Sequence, residues 1–202
     1  MAASPTTAKG ATEVREPERS LQLQGRRAAE ARATVPDATY MRTIGVGGQE
    51  RPGDQIIAAF ARALRAMPQA NAAYRDAQIE RYDRVNIGLV LPDGAGSTAV
   101  TLLDADALTV DELTALRAEL TTKLADGAIT APDTAGATAT VTDLSETGLT
   151  SFAAVLTPPH ATALAIGGVQ DGSATVTLTV DQRVLSPFAA AQLLDALAPP
   201  LA

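Results

Sequence analysis

The alternating run of residues 173–180 constrains the fold of this chain more than any other segment. Alanine, valine or leucine occupies every second position, and three of the positions between are threonine. Strict alternation with β-branched residues predicts a strand that buries one face. The polar turn 181–183 follows, and then Ser186 and Pro187, which suit the N-cap and first position of a helix. A polar turn held between a strand and a helix is a candidate functional site.

Helices and strands are predicted in alternation along the rest of the chain. Helices are predicted over residues 20–33, over 54–67 and behind a capping box at 109–112, and strands over 35–46, 84–91, 98–103, 138–144, 151–156 and 161–169. Asp54 is expected to cap the second helix and Pro68 to end it. This order, closed by a helix after the last strand, predicts an α/β sandwich with a mixed sheet.

Length and charge limit the class of protein and its partners. The 202 residues suit one domain, which we assign to residues 20–202, after a tail at 1–19 that we expect to be disordered. The net charge is −7, and residues 34–202 alone carry −9. An acidic body argues against nucleic acid and anionic membranes as partners.

Several kinds of site are excluded by composition. The chain has no cysteine, which removes disulfides, thiolate nucleophiles and cysteine-based metal sites, and one histidine with scattered carboxylates predicts no metal centre. The glycine-rich loop 45–53 lacks the spacing of a phosphate-binding loop. We find no signal sequence and no apolar run of about 18 residues, so we expect a cytoplasmic protein.

Five motifs occur in a distinctive order. They are R-R-A-A at 26–29, V-P-D-A-T at 35–39, V-N-I-G-L-V at 85–90, T-A-T-V-T-D-L at 138–144 and D-Q-R-V-L-S-P at 181–187. The string resembles the catalytic domain of the acyltransferase component of 2-oxo acid dehydrogenase complexes, a relative of chloramphenicol acetyltransferase. The resemblance covers about residues 25–202. The loop 45–53 stands where the family has a further strand and helix, so the core is expected to be trimmed around 41–53.

The resemblance implies a fold, a substrate and partners. The fold is the chloramphenicol-acetyltransferase-like two-layer sandwich with a mixed β-sheet, assembled into trimers with sites at the subunit interface. CoA or acyl-CoA is the implied substrate, with no covalently bound cofactor. The implied partners are further copies of the chain, an active acyltransferase paralogue, or other components of a 2-oxo acid dehydrogenase complex.

The last motif departs from the family at its catalytic position. The family motif reads D-H-R-V-x-D-G, and its histidine is the general base; here that position is Gln182, and Ser186 stands at the position of the family aspartate. An amide cannot accept a proton at any accessible pH, so a hydrogen-bonded polar residue at a strand end is the favoured interpretation. Asp181 and Arg183 match the motif, and the resemblance implies a structural ion pair for them.

Three further residues are weaker candidates. The resemblance gives Thr142 the role of a hydroxyl that stabilises an oxyanion, although threonine in a strand needs no functional explanation. His160 is the only histidine and is a low-probability replacement base, since a lone histidine in a turn is usually a surface residue. Asp37 stands where the family often has histidine, and we expect it to be solvated.

Three functions remain open at this point. The leading hypothesis is a degenerate acyltransferase core, a pseudoenzyme that serves as a structural or partner-binding oligomer because its base is lost. The alternative is an active CoA-dependent acyltransferase with a relocated base. The third is an acyl-CoA binding module that kept the channel without turnover.

Overall fold

A mixed six-stranded sheet organises the molecule, which we describe from a computed structural model covering residues 8–47 and 50–197. The helices are α1 (Arg19–Thr34), α2 (Pro52–Ala66), α3 (Val110–Ala125) and α4 (Pro187–Asp195). The strands are β1 (Asp37–Gly45), β2 (Ala72–Arg75), β3 (Gln78–Arg81), β4 (Ile87–Asp93), β5 (Gly96–Leu102), β6 (Ala139–Asp143), β7 (Thr162–Ile166) and β8 (Ser173–Asp181). A single 3₁₀ turn lies at Pro132–Thr134.

The strand order is β1-β8-β7-β6-β4-β5, and β2 and β3 form a separate hairpin. The β4–β6 and β6–β7 pairs are parallel, whereas the other neighbours are antiparallel. The α/β fold with a mixed sheet is therefore confirmed. Among the described residues, no helix combines the length and apolar character that a membrane span requires.

The first face of the sheet carries the main hydrophobic core. Residues 174, 176, 178 and 180 of the alternating run point into it, as predicted, and are at most 1% exposed. They pack with the apolar faces of α2, α3 and α4, which bring Phe60, Leu113 and Leu193 to the same core. The predicted capping box is present at the start of α3, and Ser186 caps α4 by accepting a hydrogen bond from the Ala189 amide.

The second face of the sheet carries the alternate, mostly small or polar side chains. Helix α1 packs on this face against β5. Residues 151–156, predicted as a strand, are not one: the segment lies over β7 and β8, where Leu156 packs against Val35 and Ala163. Leu156 is buried by this docking instead of by pairing in the sheet, so the strand prediction is wrong.

Two other local predictions need correction. Asp54 does not cap α2, whose N-cap is Arg51; the Asp54 side chain is buried and bound to α3. The β2–β3 hairpin was not predicted, because its turn is formed by Asp76 and Ala77 at φ 48° and 60° without the glycine that usually marks such a turn.

The tail predicted at 1–19 is partly outside the described residues. Residues 8–18 belong to no helix or strand, and α1 begins at Arg19, one residue before the predicted domain start. The disorder of the tail and the trimming around 41–53 remain predictions.

Candidate functional site

A cavity of about 1440 Å³ lies on the second face of the sheet. Strand β6 forms its floor with Thr138, Thr140 and Thr142, because these side chains point away from the core that Ala139 and Val141 enter. Helix α1 forms one wall, and residues 152–158 form another. The alternation of β6 thus places a row of hydroxyl groups along an open space.

Thr142 is available to a ligand. Its side chain is half-buried and lines the cavity, and its hydroxyl makes no hydrogen bond to another described residue. Thr138 differs, because its hydroxyl binds the backbone of Asn86 at 3.1 Å. A free hydroxyl on a rigid strand is able to donate to an oxygen of a bound molecule.

Gln182 does not line this cavity. It is exposed at the exit of β8, where its backbone amide donates to the Pro36 carbonyl at 3.1 Å and its side-chain amide to the Asp37 carbonyl at 3.4 Å. The side chain therefore ties the exit of β8 to the start of β1. Asp37, expected to be solvated, contributes this carbonyl, and its carboxylate lies 3.7 Å from Arg32.

Asp181 and Arg183 form a closed ion pair beside Gln182. The Arg183 guanidinium donates to both carboxylate oxygens of Asp181, at 2.9 and 2.6 Å, and its backbone amide donates to the same group. The guanidinium also stacks on Tyr74, 4.1 Å from the ring centre. Asp181 is 2% exposed, so it is a buried charge that needs such a partner. These contacts hold the turn and leave no free base there.

Ser186 is exposed and acts as the N-cap of α4. Like Gln182, it is not among the described residues that line the cavity.

His160 lines the cavity at its far end. Its Nδ1 atom is sealed from solvent and has no hydrogen-bond partner among the described residues. Burial lowers the pKa of His160 below its ordinary value, although the nearby Ala137 carbonyl opposes this, and Arg75 lowers it further. The imidazole is therefore neutral at pH 7, and His160 is not the surface residue that its turn suggested.

Strand register separates Thr142 from Gln182. Thr142 lies opposite Ala165, and Ala165 lies opposite Thr177. Gln182 follows Thr177 by five positions on β8. With about 3.3 Å per residue and about 4.8 Å between strands, the two side chains start about 19 Å apart. One chain alone does not bring both residues to one acyl group.

The paired register of β7 and β8 ends just before His160 and Gln182. Strands β7 and β8 pair Thr162 with Val180, and the Asp181 amide donates to the Ala161 carbonyl at 3.0 Å. Beyond this point His160 forms an isolated bridge with Ala73 of β2 and lines the cavity, whereas Gln182 donates to the Pro36 carbonyl and does not line it. The sheet register therefore does not pair the single histidine with Gln182.

A buried ion cluster next to Thr142 was missed from the sequence. Arg117 of α3 donates through one nitrogen to Asp54 at 2.6 Å and to Asp143 at 2.7 Å. The two carboxylate side chains are 6% and 3% exposed. Burial opposes the charge of Arg117, but its hydrogen bonds and its attraction to the carboxylates outweigh this and raise its pKa. Because Asp143 follows Thr142, the cluster fixes the cavity end of β6.

Close packing at Gly53 supports the ion cluster, and the position of Arg117 in the sequence provided one indication of it. A Cβ atom on Gly53 would lie 2.7 Å from the Ser145 hydroxyl, so the first turn of α2 approaches β6 as closely as glycine allows. Arg117 falls between Leu113 and Leu120 on the buried stripe of α3, and a charge on such a stripe indicates a buried partner.

No group of three or more metal-ligating side chains occurs within residues 8–47 and 50–197.

Comparison with known proteins finds one matching family model and several proteins of similar sequence. Residues 51–201 match the family model for the 2-oxoacid dehydrogenases acyltransferase (catalytic domain). The dihydrolipoyllysine-residue acetyltransferase component of the pyruvate dehydrogenase complex of Rhizobium meliloti is 27% identical over 155 residues, which cover 71% of this chain and 35% of that protein. A mitochondrial component of the same name from Arabidopsis thaliana is 30% identical over 158 residues, covering 71% of this chain and 29% of that protein.

Solved structures agree on the fold. The cubic core of the pyruvate dehydrogenase multienzyme complex superposes with a TM-score of 0.87 at 21% identity, covering 98% of this chain and 94% of that one. A probable dihydrolipoamide acetyltransferase from Listeria monocytogenes gives a TM-score of 0.86 at 18% identity, covering 92% of both chains. A chloramphenicol acetyltransferase gives 0.57 at 12% identity, covering 85% of this chain and 92% of that one.

The present chain spans about a third of the length of the curated relatives that it matches. The family match covers three quarters of its residues and includes β4, β6, β8 and the turn at Gln182. The chain therefore belongs to the family of 2-oxoacid dehydrogenase acyltransferase catalytic domains.

Proposed function

We propose that this chain is an acyltransferase-type core subunit that assembles with copies of itself and no longer transfers acyl groups at an enzymatic rate. The observation that carries the proposal is Gln182. Its amide has no basic form near neutral pH, and it is already used in a hydrogen bond to the Asp37 carbonyl. Loss of a general base lowers the rate of the catalysed reaction by about 10²–10⁴-fold.

No carboxylate next to Thr142 takes over the role of the base. Asp143, which follows Thr142 on β6, is bound by Arg117 and also accepts the Ser145 amide at 2.9 Å. Both carboxylate oxygens of Asp143 are therefore occupied by hydrogen bonds within the protein. The hydroxyl that remains is able to bind an oxygen but not to take a proton from a thiol.

Self-assembly and CoA binding are part of the proposal. One solved relative is named as the cubic core of a multienzyme complex. The separation of Thr142 and Gln182 in one chain is about 19 Å, so a complete site would need a second copy. The cavity is larger than the 300–1,000 Å³ or so of a drug-sized pocket and has Arg27 along its lining, whereas Arg75 and Arg84 on the same lining are paired with Glu80 and Asp104. The size of the cavity and the Arg27 guanidinium suit an extended anionic ligand such as CoA.

Two measurements on the purified wild-type protein test this function. Light scattering should give a mass that is a multiple of 20.7 kDa, the mass of one chain. Transfer between acetyl-CoA and dihydrolipoamide should proceed no faster than without protein, while CoA raises the melting temperature if the cavity binds it. A monomeric mass would contradict the structural role, and protein-dependent transfer would contradict the loss of catalysis.

A second candidate function is acyl transfer with His160 as the base. It is favoured by the unpartnered Nδ1 atom of His160 and by its position on the cavity wall. The lowered pKa of His160 favours the neutral imidazole, which is the form that accepts a proton. Transfer by this base would be constant above about pH 6.5, the ordinary pKa, and would fall in acid.

The His160→Gln variant tests this candidate directly. If His160 is the base, the variant should lose about 10²–10⁴-fold of any wild-type transfer while its mass in solution stays unchanged. Thr157→Val is a matched control, because Thr157 lines the same wall without a titratable group. Equal transfer by wild type and His160→Gln would exclude this base.

A further inference from the structure

Helix α1 crosses the second face of the sheet diagonally. Its N-terminal end lies on the turn after Asp93, at the end of β4, and its C-terminal end leads into Asp37, at the start of β1. In the register of the sheet these two points are separated by four strand spacings and seven positions, or about 30 Å. The 16 residues of α1 span about 24 Å, and the flanking residues supply the rest.

The N-terminal end of α1 is attached by polar contacts to the β4–β5 turn. Glu18 accepts the Ala95 amide at 3.0 Å, and the Ser20 hydroxyl donates to the Asp93 carbonyl at 3.1 Å. Gly96 lets the helix approach, because a Cβ atom there would lie 2.6 Å from the Leu21 amide. These contacts are near the surface, where the protein's hydrogen bonds are exchanged for bonds to water and the net stabilisation is small.

The C-terminal end of α1 is attached by apolar burial. Ala31 is the only buried residue of the helix. Val35 follows the helix and packs in a small cluster with Leu156 and Ala163. Between the two ends, residues 23, 24, 27 and 28 face the cavity. The helix is therefore attached by apolar burial at its C-terminal end, by polar contacts with β5 and its turn at its N-terminal end, and faces the cavity between them.

We propose that α1 is a hinged cover that controls access to the cavity. It opens when Glu18 and Ser20 release the β4–β5 turn, while the end at Ala31 and Val35 stays docked. Opening breaks the polar contacts of Glu18, Ser20 and Gln24 with the β4–β5 hairpin but uncovers no buried side chain of α1, since Ala31 lies at the end that stays docked. A segment held mainly by near-surface hydrogen bonds has low local stability. This inference concerns access only and holds whether or not the protein transfers acyl groups.

A reporter thiol in the cavity measures this opening. The natural chain has no cysteine, so Thr142→Cys supplies a single thiol whose alkylation by a maleimide is followed by peptide mass spectrometry. Adding Glu18→Ala and Ser20→Ala should increase the labelling rate about tenfold, the factor that corresponds to about 1.4 kcal/mol from two surface hydrogen bonds. The measurements are made on the assembled protein as purified.

A disulfide between α1 and β5 tests the opposite change, in which the helix is kept from opening. The Gln24 and Ser97 side chains meet at 3.3 Å, so Gln24→Cys with Ser97→Cys should join α1 to β5. The oxidised form should label more slowly at residue 142 than the reduced form. Ala58→Cys, buried in α2 on the first face, reports global unfolding and should label at the same slow rate in every background.

Two results would overturn the proposal. One is an unchanged labelling rate at residue 142 when Glu18 and Ser20 are replaced, which would mean that these contacts do not control access to the cavity. The other is a parallel rise at residue 58, which would mean that the whole domain opens instead of the helix.

Discussion

The Gln182→His variant should transfer acyl groups between CoA and dihydrolipoamide about 10²–10⁴ times faster than the wild-type protein. The substitution returns an imidazole to the exit of β8, where the ion pair of Asp181 and Arg183 still holds the backbone. The position is exposed, so the larger ring meets no packing constraint. Initial rates of thioester formation in the purified, assembled protein provide the measurement.

Matched variants separate recovered chemistry from other effects. Gln182→Asn keeps an amide and should stay at the wild-type rate. Thr142→Ala in the Gln182→His background should remove about 10²-fold or more of the gain, as loss of an oxyanion donor does. Ser186→Asp keeps a good N-cap on α4 and returns the family carboxylate, so it should raise the rate of Gln182→His further. An assembled Gln182→His protein without any gain would mean that the site lacks more than its base.

Local signals account for the parts of the fold that were predicted correctly. The alternation along β8, the capping box of α3 and the Ser186-Pro187 start of α4 depend on neighbours within a few residues. The β2–β3 hairpin has no such signal, because Asp76 and Ala77 adopt positive φ without glycine. The segment 151–156 has strand-like residues, but it lies over β7 and β8 and not along an edge of the sheet.

The site depends on contacts that no local pattern contains. Thr142 and His160 were both named from the sequence, yet their placement on one cavity follows from the parallel pairing of β6 with β7. The role of α1 as a wall was not predicted, since a polar helix is expected on the surface wherever it docks. Asp54 was interpreted as a cap because its partner, Arg117, is 63 positions away.

The Arg117→Met variant should lose about 3–5 kcal/mol of unfolding free energy, measured by urea denaturation at pH 7. The substitution leaves the Asp54 and Asp143 carboxylates, both within 2.7 Å of the lost nitrogen, buried side by side without a cation. Methionine fills much of the volume, so the loss measures the uncompensated charge more than a cavity. Lys123→Met is a matched control on the same helix: Lys123 also contacts two carboxylates, at 2.7 and 3.5 Å, but these pairs lie at the surface, so its replacement should cost far less stability than that of Arg117.

The pH dependence of the stability lost in Arg117→Met shows whether uncompensated charge causes the loss. Without Arg117, two negative charges stay buried side by side, and their repulsion is relieved when acid protonates either one. The deficit of Arg117→Met should therefore be large at pH 7 and small near pH 4. Adding Asp54→Asn should likewise recover part of the stability at pH 7. A deficit that is equal at both pH values would instead indicate lost packing, and the cluster would then be no electrostatic support for the Thr142 end of β6.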